Sequence, residues 1–171
     1  MGLTDKMEVM LTAFREFRDN KNAILADILS QRTDELLDRQ RDQLASGLNS
    51  EGTDIVPPYS EDLKPGGYFH SSSAAERYAQ WKQTINVPVY YKQTQRNPDT
   101  PNLYVNGRFH SELTVDITDE VLFHGGTSYA ENIVDKFGLM QFGLNEQSWR
   151  DFMENGVITE ILGGLRTSLG I

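Results

Sequence analysis

The chain has 171 residues, no cysteine and a formal net charge of −9. That length fits one domain with its own core, and the lack of cysteine excludes disulfides, cysteine-ligated zinc and a thiol nucleophile. The acidic excess lies after Pro101, with ten acidic against four basic residues. Such a balance favours solubility and repels a phosphate backbone, so specific nucleic-acid binding is not expected.

The N-terminal stretch Met1 to Thr12 lacks the basic-then-apolar order of a signal peptide. No window approaches the roughly 20 apolar residues of a membrane span, so the expectation is a soluble protein with no membrane partner. Met7, Met10, Leu11, Phe14 and Phe17 recur at three- and four-residue steps. Ile24, Leu25, Ile28, Leu29, Leu36, Leu37, Leu44 and Leu48 continue the pattern, which predicts helix over the first 48 residues. Asn20-Lys21-Asn22 predicts a break or kink, because asparagine competes with the helical backbone. Gly47 and Asn49-Ser50-Glu51-Gly52 end the pattern. This divides one compact unit into a helical arm, 1–48, and an α+β body, 49–171.

Pro57-Pro58 and Lys64-Pro65-Gly66-Gly67 mark a loop. Ser72 caps an expected short helix through Ala74, Tyr78 and Trp81. Val87 to Tyr91 is a strand candidate, and Asn97 to Asn102 a rigid Pro-rich loop. From Phe109 to Ile117 every second residue is apolar or small, which predicts a strand with Phe109, Leu113 and Val115 inward. His110, Glu112 and Asp116 then face solvent. Thr118-Asp119 is the expected turn and Glu120 to His124 the returning strand, with Val121 inward. A helix over Ser128 to Phe137 follows, closed by Gly138 as its C′ residue. The last helix begins at Asn145 as N-cap, with Gly156 placed to interrupt it. The expected fold class is α+β: an antiparallel sheet of about four strands flanked by helices, with the helical N-terminal arm.

The sequence carries little catalytic chemistry. His70 beside Ser71-Ser72-Ser73 has no G-x-S-x-G elbow and reads as a loop with a helix cap. His110 and His124, on two strands joined by a tight turn, could sit side by side with Glu112 or Asp116 as metal ligands. The weightier reading is two surface histidines. There is no P-loop and no G-x-G-x-x-G. Tyr90-Tyr91 and Tyr104 could stack on bases, but nothing basic surrounds them. No catalytic, cofactor or metal residues are assigned, and the chain is not expected to be an enzyme.

The ordered set of segments carries a resemblance. Asp42-Gln43-Leu44 and Gly47 precede Asn49-Ser50-Glu51-Gly52, then Pro57-Pro58-Tyr59-Ser60, then Asn97 to Leu103. Gly107-Arg108-Phe109-His110-Ser111, Ile133 to Gly138 and Phe142-Gly143-Leu144 follow. In this order the chain resembles the neck proteins of tailed phages and prophages, the virion-morphogenesis, head–tail-completion and tail-completion group. The resemblance covers roughly residues 35–165, with Asn106 where the family often has threonine, and leaves the first thirty residues unmatched. It implies a structural virion protein, assembled in the host cytoplasm, that forms a ring with copies of itself. A dodecamer is favoured over a hexamer, with portal, adaptor or tail proteins as neighbours and DNA passing through without specific binding. Pro57, Pro58, Tyr59, Pro98, Pro101, Asn102 and Leu103 are the candidate partner-interface residues, because stiff loops lose little entropy on docking. A tail terminator, or a non-viral helical adaptor or regulatory protein, are the alternatives.

Overall fold

The computed structural model describes residues 3–118, 120–126 and 130–169. The elements are α1 (Leu3–Gln31), α2 (Thr33–Ala45), α3 (Ser72–Thr84), α4 (Arg108–Ser111), β1 (Thr114–Ile117), β2 (Val121–His124), α5 (Ala130–Phe137), α6 (Glu146–Phe152) and α7 (Ile158–Leu169). A five-residue π turn, Met153–Val157, joins α6 to α7.

Helix α2 is the centre. Leu36 and Leu44 are fully buried and pack with Ile28, Ile55, Phe109, Leu113, Val115, Phe152 and Val157. A second, smaller cluster of Tyr59, Phe69, Ala75 and Ala79 lies under the loop that follows α2. Between them the polar face of α2 is buried as well, and its side chains replace a sheet. Gln40 donates to the Gln141 carbonyl at 2.9 Å and accepts from the Gly143 amide at 2.9 Å. Gln43 repeats the pattern with the Gly143 carbonyl and the Asn145 amide, at 2.9 and 2.8 Å. Two glutamines three residues apart thus act as a surrogate strand for residues 141–145, satisfying buried backbone groups that would otherwise be costly.

On the other side the Asp42 carboxylate accepts from three successive amides: Tyr90 at 3.0 Å, Tyr91 at 2.6 Å and Lys92 at 2.9 Å. The Ser46 hydroxyl accepts from Thr94 at 3.0 Å. Arg39 lies over the Tyr91 ring at 4.9 Å and Arg41 over Tyr90 at 5.9 Å. This arrangement overturns the strand expected at Val87 to Tyr91. Its amides bind a carboxylate rather than a ladder, and Pro88 has no amide to offer.

The expected sheet of about four strands is corrected to one antiparallel pair, β1 and β2, with Thr114 opposite His124 and Ile117 opposite Val121. The first part of the expected strand at Phe109 is a helical turn instead. Gly107 adopts φ 81°, the left-handed conformation glycine tolerates, and the Asn106 side chain accepts the Arg108 amide at 3.1 Å. Arg108 then bonds Glu112 one turn on, at 2.9 Å. Phe109 and Leu113, four residues apart, share a face in either conformation, so both are buried as expected. Val115 is buried too, and Val121 packs at the core edge. His110 is not on the solvent face: the helical turn carries it inward to 5% exposure. Thr118 donates to the Glu120 carbonyl across the hairpin turn, and Asp119 lies outside the described residues.

Helix α1 runs through Asn20-Lys21-Asn22 without a break; the helix ends at Gln31 instead, where the Arg32 side chain turns to Glu35 and to Glu160 at 3.6 Å. Tertiary contacts at Arg32 override local propensity at Asn20. The cap of α3 is Ser71, one residue earlier than expected. Helix α5 starts at Ala130, Ser128 lying outside the described residues, and Gly138 closes it at φ 80°. Asn145 caps α6 by accepting from Ser148 at 2.9 Å. The expected interruption at Gly156 takes the form of the π turn.

Two substitutions test this arrangement by urea unfolding. Asp42→Ala removes the acceptor of three part-buried amides and should cost about 1–3 kcal/mol. Leu113→Ala, at a position only 2% exposed, should cost about 2–5 kcal/mol. A loss below half a kcal/mol at either site contradicts the packing described.

Candidate functional site

The two Pro-rich loops meet each other. The Tyr59 amide donates to the Asp99 carbonyl at 2.9 Å and the Ser60 amide to the Asp99 carboxylate at 2.9 Å. Asp99 is presented by an Asn-Pro-Asp turn, in which the Asn97 side chain accepts the Asp99 amide at 3.1 Å. Behind this junction Asp62 accepts the Tyr68 amide at 3.1 Å and pairs with Lys136 of α5. The loops are thereby tied to α5 across the sequence.

Between them and helices α3 and α5 lies a cleft of about 450 Å³. Its walls include Tyr59, Tyr78, Pro101, Leu103, Ile133 and Phe137. Tyr59 and Tyr78 meet edge to face at 5.1 Å, Phe69 and Tyr78 stand at 5.2 Å, and the aromatic row continues to Trp81 at 5.3 Å. Such contacts are favourable beyond the area they bury. Burial raises the Tyr59 and Tyr78 hydroxyls above the usual phenol value, Tyr59 strongly. The rim is open: Tyr68 and Val105 are exposed.

Of the candidate interface residues, Tyr59, Pro101 and Leu103 line this cleft. Tyr59, Pro101 and Asn102 are buried within the chain, Pro57, Pro58 and Leu103 are half-buried, and Pro98 is exposed. The loops therefore first hold each other, and what they offer outward is the concave surface between them.

Two bases lie buried behind the loop 97–104. Lys82 of α3 is 2% exposed, and its ammonium donates to the Tyr104 carbonyl. Burial, and secondarily the nearby Arg96, lower its pKa to about 8. Arg96 donates to the carbonyls of Asn97, Pro98 and Thr100. Sequence reasoning missed Lys82, although Ala75, Ala79 and Lys82 follow helical spacing and share the inward face of α3. His110 is the other base. Its Nε2 stands 3.3 Å from the Asn102 carbonyl, its ring meets Tyr104 edge on at 5.1 Å, and burial chiefly lowers its pKa to about 4. The Asn102 hydrogen bond opposes that shift, while Arg41 and Lys82 add to it.

The histidine pair considered as a metal site does not form. His124, on β2, bonds Asp116 across the strands at 3.1 Å, while His110 is buried against the Asn102 carbonyl. No group of three metal-ligating side chains occurs among the described residues, and Ser71 beside His70 serves as the cap of α3. No helix is long and apolar enough to cross a membrane among the described residues. No family model matches the chain, nor does any curated protein or solved structure.

The His110 environment sets a pH dependence. Its folded pKa of about 4 lies below the usual 6.5, so the unfolded chain binds the proton first. Stability is fully present above 6.5 and falls as pH drops toward 4, by up to about 3 kcal/mol. Urea titrations at pH 7.5 and 4.5 should show this loss, and His110→Gln should flatten it. An unchanged slope in that variant assigns the acid limb to other groups.

Proposed function

We propose that the chain is a structural virion subunit, a head–tail connector (neck) or tail-completion protein that forms a ring with copies of itself and joins portal to tail. The observation that carries this reading is the ordered set of segments from Asp42 to Leu144 that resembles phage neck proteins. The geometry adds support of a different kind. Those segments are the ones that build the fold's polar spine and its two mutually docked loops: Gln43, Tyr59 with Asp99, and Gly143. A subunit whose work is assembly needs rigid, pre-formed surfaces, and the cleft between the loops is one. This reading assigns it no catalysis and no cofactor; Lys82 and Asp62, buried groups in the cleft lining, are engaged by the Tyr104 carbonyl and Lys136. The dodecamer, the hexamer as its alternative, and the portal, adaptor or tail neighbours are the partners this reading assigns.

A helical adaptor is the second reading, favoured by the high helix content and the short two-stranded sheet. Quantitative mass spectrometry of purified particles from the phage or prophage that encodes the chain separates the two. Incorporation at a fixed ratio near one per portal subunit is expected for a ring. Absence from particles, with capture of host proteins in its place, favours the adaptor.

A further inference from the structure

Among the described residues, two extended apolar surfaces lie without a partner. The first is the outer part of α1. This helix has 29 residues, while α7, which begins beside its C-terminal end at the Arg32–Glu160 contact and packs back along it, has 12. At 1.5 Å per residue the excess is about 25 Å. The face that buries Ile24, Leu25, Ile28 and Leu29 in the core continues outward as Met7, Met10, Leu11 and Phe14 at helical spacing. These four are between 46 and 55% exposed. The second surface is the aromatic cleft.

We propose that the protruding stripe of α1 seats in the aromatic cleft of a second copy of the chain, an inference that rests on the ring reading above. A rigid helix anchored at Ile24 to Arg32 is not able to fold back onto its own cleft, which no α1 residue lines. The occupant is therefore another copy. The chemistries match: Met7 and Met10 bring thioethers, which favour aromatic edges, and Phe14 joins the edge-to-face row of Tyr59 and Tyr78. Each of the four side chains presents on the order of 100 Å², so stripe and cleft together bury about 600 Å², less than the roughly 1,000 Å² of an interface that is stable as an isolated pair. A contact of that size predicts weak association in dilute solution and strengthening once several copies are held on a template. Stripe and cleft are different patches, so the contact is heterologous, the class that generates a ring when its rotation closes.

The test uses the full chain. A fluorescein-labelled peptide of residues 3–22 is titrated into the intact protein and followed by anisotropy. Saturable binding is expected, weakened more than tenfold by Met10→Asp with Phe14→Asp in the peptide, and likewise by Val105→Glu at the exposed rim of the cleft. The chain has no cysteine, so disulfides in the double variant Phe14→Cys with Val105→Cys form only between the introduced thiols. Oxidation of that double variant should give a ladder of covalent oligomers that neither single variant gives. Absence of peptide binding, or indifference to these substitutions, overturns the proposal. A disulfide dimer from Phe14→Cys alone also overturns it, because arm then pairs with arm. If the chain is present in particles as a ring but no ladder forms, the arm–cleft contact falls and the connector reading stands. If it is absent from particles, the connector reading falls, and peptide binding still decides the contact.

Discussion

The rest of the structure depends on a buried polar helix face. Gln40, Asp42 and Gln43 of α2 and its C-cap Ser46 lie at 0 to 5% exposure, and each meets backbone rather than another side chain. A chain with long irregular segments has many backbone amides and carbonyls to satisfy, and burying them unpaired costs free energy. Strands usually meet this demand. Here a single helix does so, with residues 90–94 held on one side and 141–145 on the other. The apolar residues of the same helix, Leu36, Leu37 and Leu44, anchor it in the core. Amphipathicity is therefore inverted in meaning: both faces of α2 are interior, and the polar one is structural.

This explains which parts of the fold were legible in the sequence. Elements set by local signals were read correctly, such as the Asn145 cap, the Gly138 terminus and the inward positions of Leu113 and Val115. The interface loops were recognised as rigid from their prolines, and their convergence on one cleft was not, since Tyr59 and Asp99 are forty residues apart. Elements set by long-range side-chain contacts were misread. Val87 to Tyr91 has strand composition, but its hydrogen-bond partner is a carboxylate on a helix. Phe109 to Ile117 alternates perfectly, yet Asn106, Gly107 and the Arg108–Glu112 pair wind its start into a turn. That change of conformation also moved His110 from the surface to the interior. Lys82 was hidden because lysine is read as solvent-facing, whereas its position among Ala75 and Ala79 marks an inward stripe.

The two buried bases show how the loop 97–104 is held. Lys82 meets the carbonyl of Tyr104 and His110 that of Asn102, while Arg96 takes the carbonyls of Asn97, Pro98 and Thr100. Every one of these donors points at main chain, none at a carboxylate. A proline-rich segment has few amides and an excess of unpaired carbonyls, so side chains rich in N–H donors are the ones that complement it. Their depressed pKa values are the consequence, because burial disfavours the charge and carbonyl dipoles compensate only in part.

Rigidity of this origin bears on assembly. The loops around the cleft are fixed from beneath by Lys82, Arg96 and His110, and laterally by the Tyr59–Asp99 and Asp62–Lys136 contacts. Little of their shape remains to be ordered when a partner arrives, so the entropic cost of docking falls mainly on the incoming element. A helix such as α1, already ordered at its anchored end, carries little of that cost either. The interior, the buried aromatics Tyr59 and Phe69 included, thus accounts for the stability of the body, and the exposed rim of the cleft and the outer part of α1 contribute little to it. Surfaces that are ordered, apolar and unnecessary to the fold are available for contact between molecules.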